Sequence, residues 1–282
     1  MIYLDPKNIY YRSFVFTEKN QPEWQQEIPH WRSYIQHFFN SNGLQLTDEQ
    51  ERVDEWINSP ERAAFSDMIL ALLPEVKPVI SPERIKTILM AHWTPDLHMG
   101  TSVVNAAIHA LDLADCLALA ISDRGPDAAL FAMDGLNDCL DNKDEDGLLL
   151  IAEQKNLLYY SPLLDALKPE NNACICLVNT RRQGLEYRGY TKRVQDKLSS
   201  DLVNEVIHKA CLNPVKTIVI GPASALEQIR GEFHLQPTES PLLCSAPFVS
   251  LSKNWQPEKN YLLVSSFAGE ISFNAFSGEF GL

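Results

Sequence analysis

The sequence predicts an α/β fold with helices packed on sheets. Short apolar segments of about five to seven residues, read as strands, alternate with segments of helical period. Two of the strand segments are alike: "RIKTILMAHWTP" (84–95) and "PVKTIVIGPASA" (214–225) share the pattern apolar-Lys-Thr-Ile-apolar-apolar. A looser pair, "DGLLLIAEQK" (146–155) and "KNYLLVSSFA" (259–268), recurs at a similar offset. A spacing of about 110 to 130 residues suggests a duplicated half, since solenoid units are far shorter. The chain has 282 residues, 45% hydrophobic and 22% charged, which suits one large unit or two intimate halves.

In chain order, "MIYLDPKNIYYRSF" has neither a basic n-region nor an apolar h-region, and no apolar run approaches about eighteen residues. A cytoplasmic protein without a membrane span is expected. Residues 22–58, rich in Trp, Gln and Glu, give no assignable period. Ser59-Pro60 reads as a cap with proline at the first helical position, ahead of Ala64, Phe65, Met68, Ile69 and Leu72. Thr101 or Ser102 caps a helix with Val104, Ala107, Ile108 and Leu111 on one side. After a strand and the corner Asp123-Arg124-Gly125-Pro126, Pro126 opens a helix with Ala129, Leu130, Met133, Leu136 and Leu140 inward. Val203, Val206, Ile207 and Ala210 mark another helix, and Leu226, Ile229 and Phe233 one more. Between Pro237 and Pro257 no full helix is expected.

A net charge of −13 disfavours nucleic acid and anionic membranes as partners. Basic residues gather only at Arg181, Arg182, Arg188, Lys192, Arg193 and Lys197, either a solvated hairpin face or a landing place for an acidic carrier or a coenzyme phosphate. Most of the six cysteines sit in apolar runs and read as core thiols, and Cys174-Ile175-Cys176 lacks the second ligand pair that zinc would need. No metal or cofactor is expected.

Chemistry is expected at the strand-to-helix corner "ISDRGPDAAL" (121–130), because a helix N-terminus points backbone N–H groups at developing negative charge. The corner holds no Cys, and Ser122 precedes it. The stretch "ERIKTILMAHWTPDLHMGTSVVNAAIHALDLADCLALAISDRGPDAALFAMDGL" nevertheless resembles, without a gap, the ketoacyl synthase III branch of the thiolase-like proteins. "GLLLIAEQ" (147–154) resembles the family's next strand, and "NYLLVSSFAGEISFNAF" its closing strand, glycine loop and strand. The resemblance implies a layered αβαβα thiolase-like fold in two pseudo-repeated halves, 1–179 and 180–282, the second shortened. It also implies an acyl-accepting Cys, assisted by His and Asn.

Carried onto this chain, the Cys position falls on Gly125 and the His position on Pro222 or Gly221. The Asn-Thr-x-Ala turn is not recognised, and of the oxyanion glycine loop only Gly269 remains. Moving the nucleophile to Cys116 would run the buried helix through Gly125-Pro126, at about 3 kcal/mol for the proline and about 1 for the glycine. The helix head is therefore expected to carry no sulfur nucleophile. The family's partner-lent loop corresponds to His92–Gly100, where Trp93, His98 and Met99 could line a neighbour's acyl pocket; His98 could equally be a surface loop residue.

The leading expectation is a catalytically silent subunit that pairs with an active, Cys-bearing ketoacyl synthase III-like paralogue and shapes its acyl channel in fatty-acid-like or polyketide-like secondary metabolism. In this it resembles the non-catalytic subunit of heterodimeric alkylquinolone-type condensing enzymes and shares the logic of chain-length factors. The alternatives are an acyltransferase or thioesterase using Ser122, Asp123 or His98, and a docking module for acyl carrier protein or acyl-CoA.

Overall fold

The computed structural model describes residues 1–19 and 21–278. Its first half contains β1 (Tyr3–Ser13), α1 (Ile28–Ser41), α2 (Val53–Asn58), α3 (Phe65–Val76), β2 (Ile85–Ala91), α4 (Val103–Leu111), β3 (Leu117–Ile121), α5 (Ala128–Cys139), β4 (Asp146–Glu153), α6 (Pro162–Leu167) and β5 (Asn172–Asn179). The second contains β6 (Leu185–Val194), α7 (Ser200–Lys209), β7 (Thr217–Gly221), α8 (Ala223–Leu226), β8 (His234–Pro237), α9 (Ala246–Asn254), β9 (Asn260–Phe267) and β10 (Glu270–Ser277).

The described strands form one sheet of order β3-β2-β4-β5-β1-β6-β10-β9-β7-β8. At its middle, β1 and β6 meet over two residue pairs, Tyr3 with Glu186 and Leu4 with Leu185. On either side of that seam the orders correspond: β3-β2-β4-β5-β1 is answered by β8-β7-β9-β10-β6. The segments alike in sequence occupy equivalent places, β2 with β7 and β4 with β9.

Five layers follow from where the apolar faces go. α3 and α4 cover the outer face of the first half-sheet, α7 covers that of the second, and α5 and α9 lie between the two half-sheets. β4 and β5 are buried along their whole length, which is why β4 reads as a nearly unbroken apolar run. The interior faces of α5 are small, with Ala128, Ala129 and Ala132 wholly buried, so the strands approach closely; a Cβ at Gly135 would lie 3.0 Å from Leu89.

Several local expectations are corrected. Ser59-Pro60 caps no helix: Ser59 Oγ accepts the Glu61 N–H (3.2 Å) and donates to Asn156 (3.1 Å). α3 begins at Phe65, whose N–H is taken by Asp96 (2.8 Å). At α4 it is Ser102 that caps, accepting the Asn105 N–H at 3.3 Å. The helix expected through Leu226, Ile229 and Phe233 stops at Leu226, because Arg230 turns its guanidinium onto the carbonyls of Glu227 (2.8 Å) and Ile229 (2.6 Å) and Gly231 follows; the chain then enters β8. Between Pro237 and Pro257 a buried helix, α9, does form. Pro247 sits in its first turn, where no N–H is needed, and Phe248, Val249 and Leu251 face the core. Residues 22–58 build a helical annex in which Ile35, Phe39, Trp56 and Ile57 pack with Leu97 and Leu158.

Candidate functional site

The corner after β3 opens onto α5 as expected, and its geometry is closed. Gly125 is buried with φ +61°, and a Cβ there would lie 2.6 Å from Cδ1 of Phe267 at the end of β9. The Phe267 ring stands in the space that a side chain at 125 would need. Trp93 packs on it edge to face, centroids 4.7 Å apart. Below the corner, buried Asp127 accepts hydrogen bonds from Arg124 (2.9 Å) and Tyr190 (2.9 Å), and Arg124 lies 3.9 Å over the Phe131 ring. Burial, with the neighbouring Asp127 carboxylate, pushes the Tyr190 phenol up to about 12.

A cysteine sulfur does reach the head of α5, arriving from another segment. Cys244, wholly buried ahead of α9, places Sγ 3.5 Å from the Gly125 carbonyl and in hydrogen-bond reach of the Ala129 N–H. Its neighbour is Glu153, at the end of β4 and also wholly buried. One Glu153 oxygen accepts the Trp93 N–H (2.9 Å); the other accepts the N–H (2.8 Å) and hydroxyl (2.7 Å) of Thr94. Burial raises the Glu153 carboxyl above its ordinary range despite these bonds, and burial together with Glu153 pushes the Cys244 thiol well above its own. Such a thiol is held protonated and is a poor nucleophile. Among the described residues, no histidine hydrogen-bonds it.

The other positions that the resemblance singles out lie as follows. Pro222 follows β7 and precedes α8, and the nearby His234 is exposed, paired with Ile218 toward the opposite end of that strand. Leu243-Cys244-Ser245-Ala246 leads into α9 with Leu243 at φ +46°, and no Asn-Thr-x-Ala turn occurs in this segment. Gly269 (φ +76°) forms with Ala268 (φ +50°) the two-residue turn of the β9–β10 hairpin. Ser122 donates its hydroxyl to the adjacent Asp123 carboxylate (3.3 Å), and among the described residues no histidine hydrogen-bonds either of them.

The loop His92–Gly100 is clasped by its own chain. His92 Nδ1 bonds to the Thr94 carbonyl (2.8 Å), Leu97 and Met99 pack into the annex, and His98 Nε2 meets Glu18 (3.0 Å). Glu18 also pairs with buried Arg62 (3.1 Å), which lies between the rings of Trp24 and Trp56. The Glu18 bond raises the His98 pKa; for Glu18, burial pushes upward but His98 and Arg62 outweigh it and hold the carboxyl low. Of the basic residues at 181–197, Arg181 pairs with Asp146, Arg188 with Glu186, Lys192 with Glu270 and Arg193 with Glu205. Four charges of that patch are thus locally balanced, while Arg182 and Lys197 have no acidic partner among the described residues.

Three residues at the centre of the site escape a reading by motif. An acid ending an apolar strand could have flagged Glu153 as a buried carboxyl. Nothing local in the sequence places Phe267 or Cys244 at a corner more than a hundred residues away.

No family model and no curated protein sequence matches the chain. Solved structures do. The acyltransferase ChlB3 superposes with TM-score 0.63 at 12% identity, over 98% of this chain and 97% of that one. AbyA1, a tetronic acid condensing enzyme, gives 0.63 at 9%, over 98% and 99%. The β-ketoacyl-[acyl carrier protein] synthase III FabH of Thermus thermophilus gives 0.56 at 13%, over 97% and 98%. The chain has the thiolase-like fold of the ketoacyl synthase III type. At these identities the likeness speaks for the fold alone. Among the described residues, no helix is long and apolar enough to cross a membrane.

Proposed function

We propose that this chain is a catalytically silent ketosynthase-like subunit that pairs with an active, Cys-bearing ketoacyl synthase III-like chain and helps to shape its acyl channel. One observation carries the reading: the ring of Phe267 fills the space of the missing nucleophile at Gly125. A site merely lacking its Cys would leave a hole; this one is packed shut, with Trp93 on top. Pairing is supported by β3, an edge strand whose Leu117 and Leu119 are 48% and 52% exposed. An apolar sheet edge left open invites another strand. An obligate interface of this kind buries on the order of 2,000 Å² or more. With His98 and Met99 turned inward, the exposed crest Gly100-Thr101-Ser102 is what the loop offers a partner's channel.

Co-expression of the tagged chain with each condensing enzyme encoded beside it tests the reading. Stable co-purification, lost on Leu119→Asp, is expected; a chain that ignores all of them defeats it. A second reading, residual acyl transfer, is favoured by the position of Cys244 Sγ beside Glu153 at the α5 head. Incubation with an acyl thioester separates the two. A mass increase on the intact chain, absent in Cys244→Ala, would establish the enzyme; an unchanged mass is expected.

A further inference from the structure

We propose that the β3 edge is built to refuse a second copy of this chain and to accept a different one, whose edge strand has an apolar centre and basic residues at both ends. This rests on the pairing proposed above and names the partner's chemistry.

Among the described strands β3 has one neighbour, β2, so the other side of Leu117–Ile121 is unpaired within them. A two-fold axis joining two copies at this edge makes their strands antiparallel. With the axis at Leu119, Leu117 falls opposite the Ile121 position of the other copy. Two residues beyond the strand at each end, Asp115 falls on the same side as Asp123, which sits where the chain turns into the corner (φ +59°). Both are exposed, and the axis repeats the clash, so self-pairing confronts like charges twice. Exposed Asp112 adds charge at the same end as Asp115.

The nearby cations do not cancel this. Arg124 is engaged by Asp127 (2.9 Å) and by the Phe131 ring. Lys86, on β2 beside Cys116, serves one end only. A net charge of −13 adds repulsion between identical chains at longer range. Like charges facing across strands destabilise a pair and opposite charges stabilise it, so an edge of this kind selects by rejection as much as by attraction. Lysine or arginine opposite Asp115 and Asp123 turns both ends from repulsive to attractive.

Sedimentation of the full chain tests it directly. Asp115→Lys sets Lys against Asp twice in a self-pair and is expected to tighten self-association by about tenfold or more over the unmodified chain at low salt. High salt should erase that gain. The double variant Asp115→Lys/Asp123→Lys restores like charges and should return to the unmodified behaviour. All these positions are exposed, and thermal melts would verify that each variant is folded. The proposal is overturned if Asp115→Lys sediments as the unmodified chain does, or if the unmodified chain already forms a dimer that Leu119→Asp dissolves. Either result leaves pairing with a paralogue to stand or fall on co-purification.

Discussion

The heads of α5 and α9 face one another across the centre of the molecule, in halves with the same strand order, yet they are furnished in opposite ways. The α5 head offers a glycine at φ +61° and no side chain, and the room it leaves is taken by Phe267. The α9 head offers Leu243 at φ +46° and a thiol, Cys244, pressed against the carbonyl of the first head. A family nucleophile at a helix N-terminus needs space, a positive dipole and a thiolate. Here the three are separated: the dipole remains at α5, the sulfur belongs to the other head, and the space is filled by a ring.

The sharpest way to break this contrast is to put the nucleophile back. Gly125→Cys would combine a left-handed backbone with a Cβ 2.6 Å from the Phe267 ring, and should cost about 2–4 kcal/mol in denaturant unfolding. Adding Phe267→Ala should recover part of that loss, since the clash disappears and the backbone strain does not. A Gly125→Cys protein as stable as the unmodified chain would mean that the corner is not closed.

Phe267→Ala alone should cost about 2 kcal/mol, less than a fully buried ring because Phe267 is only partly covered. Its more telling effect would be on Cys244. Peptide mass mapping after alkylation should find Cys244 unlabelled in the native chain and labelled once the ring is gone.

Glu153→Gln should cost about 1–3 kcal/mol, because an amide offers one acceptor oxygen where Trp93 and Thr94 supply three donors. The native carboxyl is raised, so its contribution is complete below the ordinary carboxylate range and declines as pH rises through the folded value. Thermal melts across pH should show that decline in the native chain and a flatter profile in the variant.

The smallest effect is expected at His98. Its raised pKa places its stabilising contribution below the ordinary histidine range and removes it as pH climbs through the folded value. Glu18, held low, loses its contribution as pH falls through its own folded value, so the pair works between the two. His98→Gln should lower stability by less than about 1 kcal/mol near pH 6 and have no effect near pH 9 in melting experiments, as befits a half-exposed pair.

Much of this architecture is legible without coordinates where the signal is local. The Ser102 cap, the entry of α5 after Pro126 and its inward face of Ala129, Leu130, Met133 and Leu136 all depend on residues within a few positions of one another. So does the likeness of β2 to β7. Reading fails where a local token has two uses. Pro247 looks like a breaker and is a first-turn residue; Ser59 looks like a cap and makes a short turn; the apolar period through Phe233 is cut by Arg230 and Gly231.

What the amino-acid order determines by itself is therefore the set of elements, their duplicated arrangement and the lack of a cysteine in the corner between β3 and α5, since spacing and identity are properties of neighbouring residues. Only the tertiary structure decides what stands there instead. Phe267, Trp93, Glu153 and Cys244 come from four separate segments, brought together because two half-sheets bury their apolar faces on the same pair of helices. Close packing then leaves no room for a vacancy.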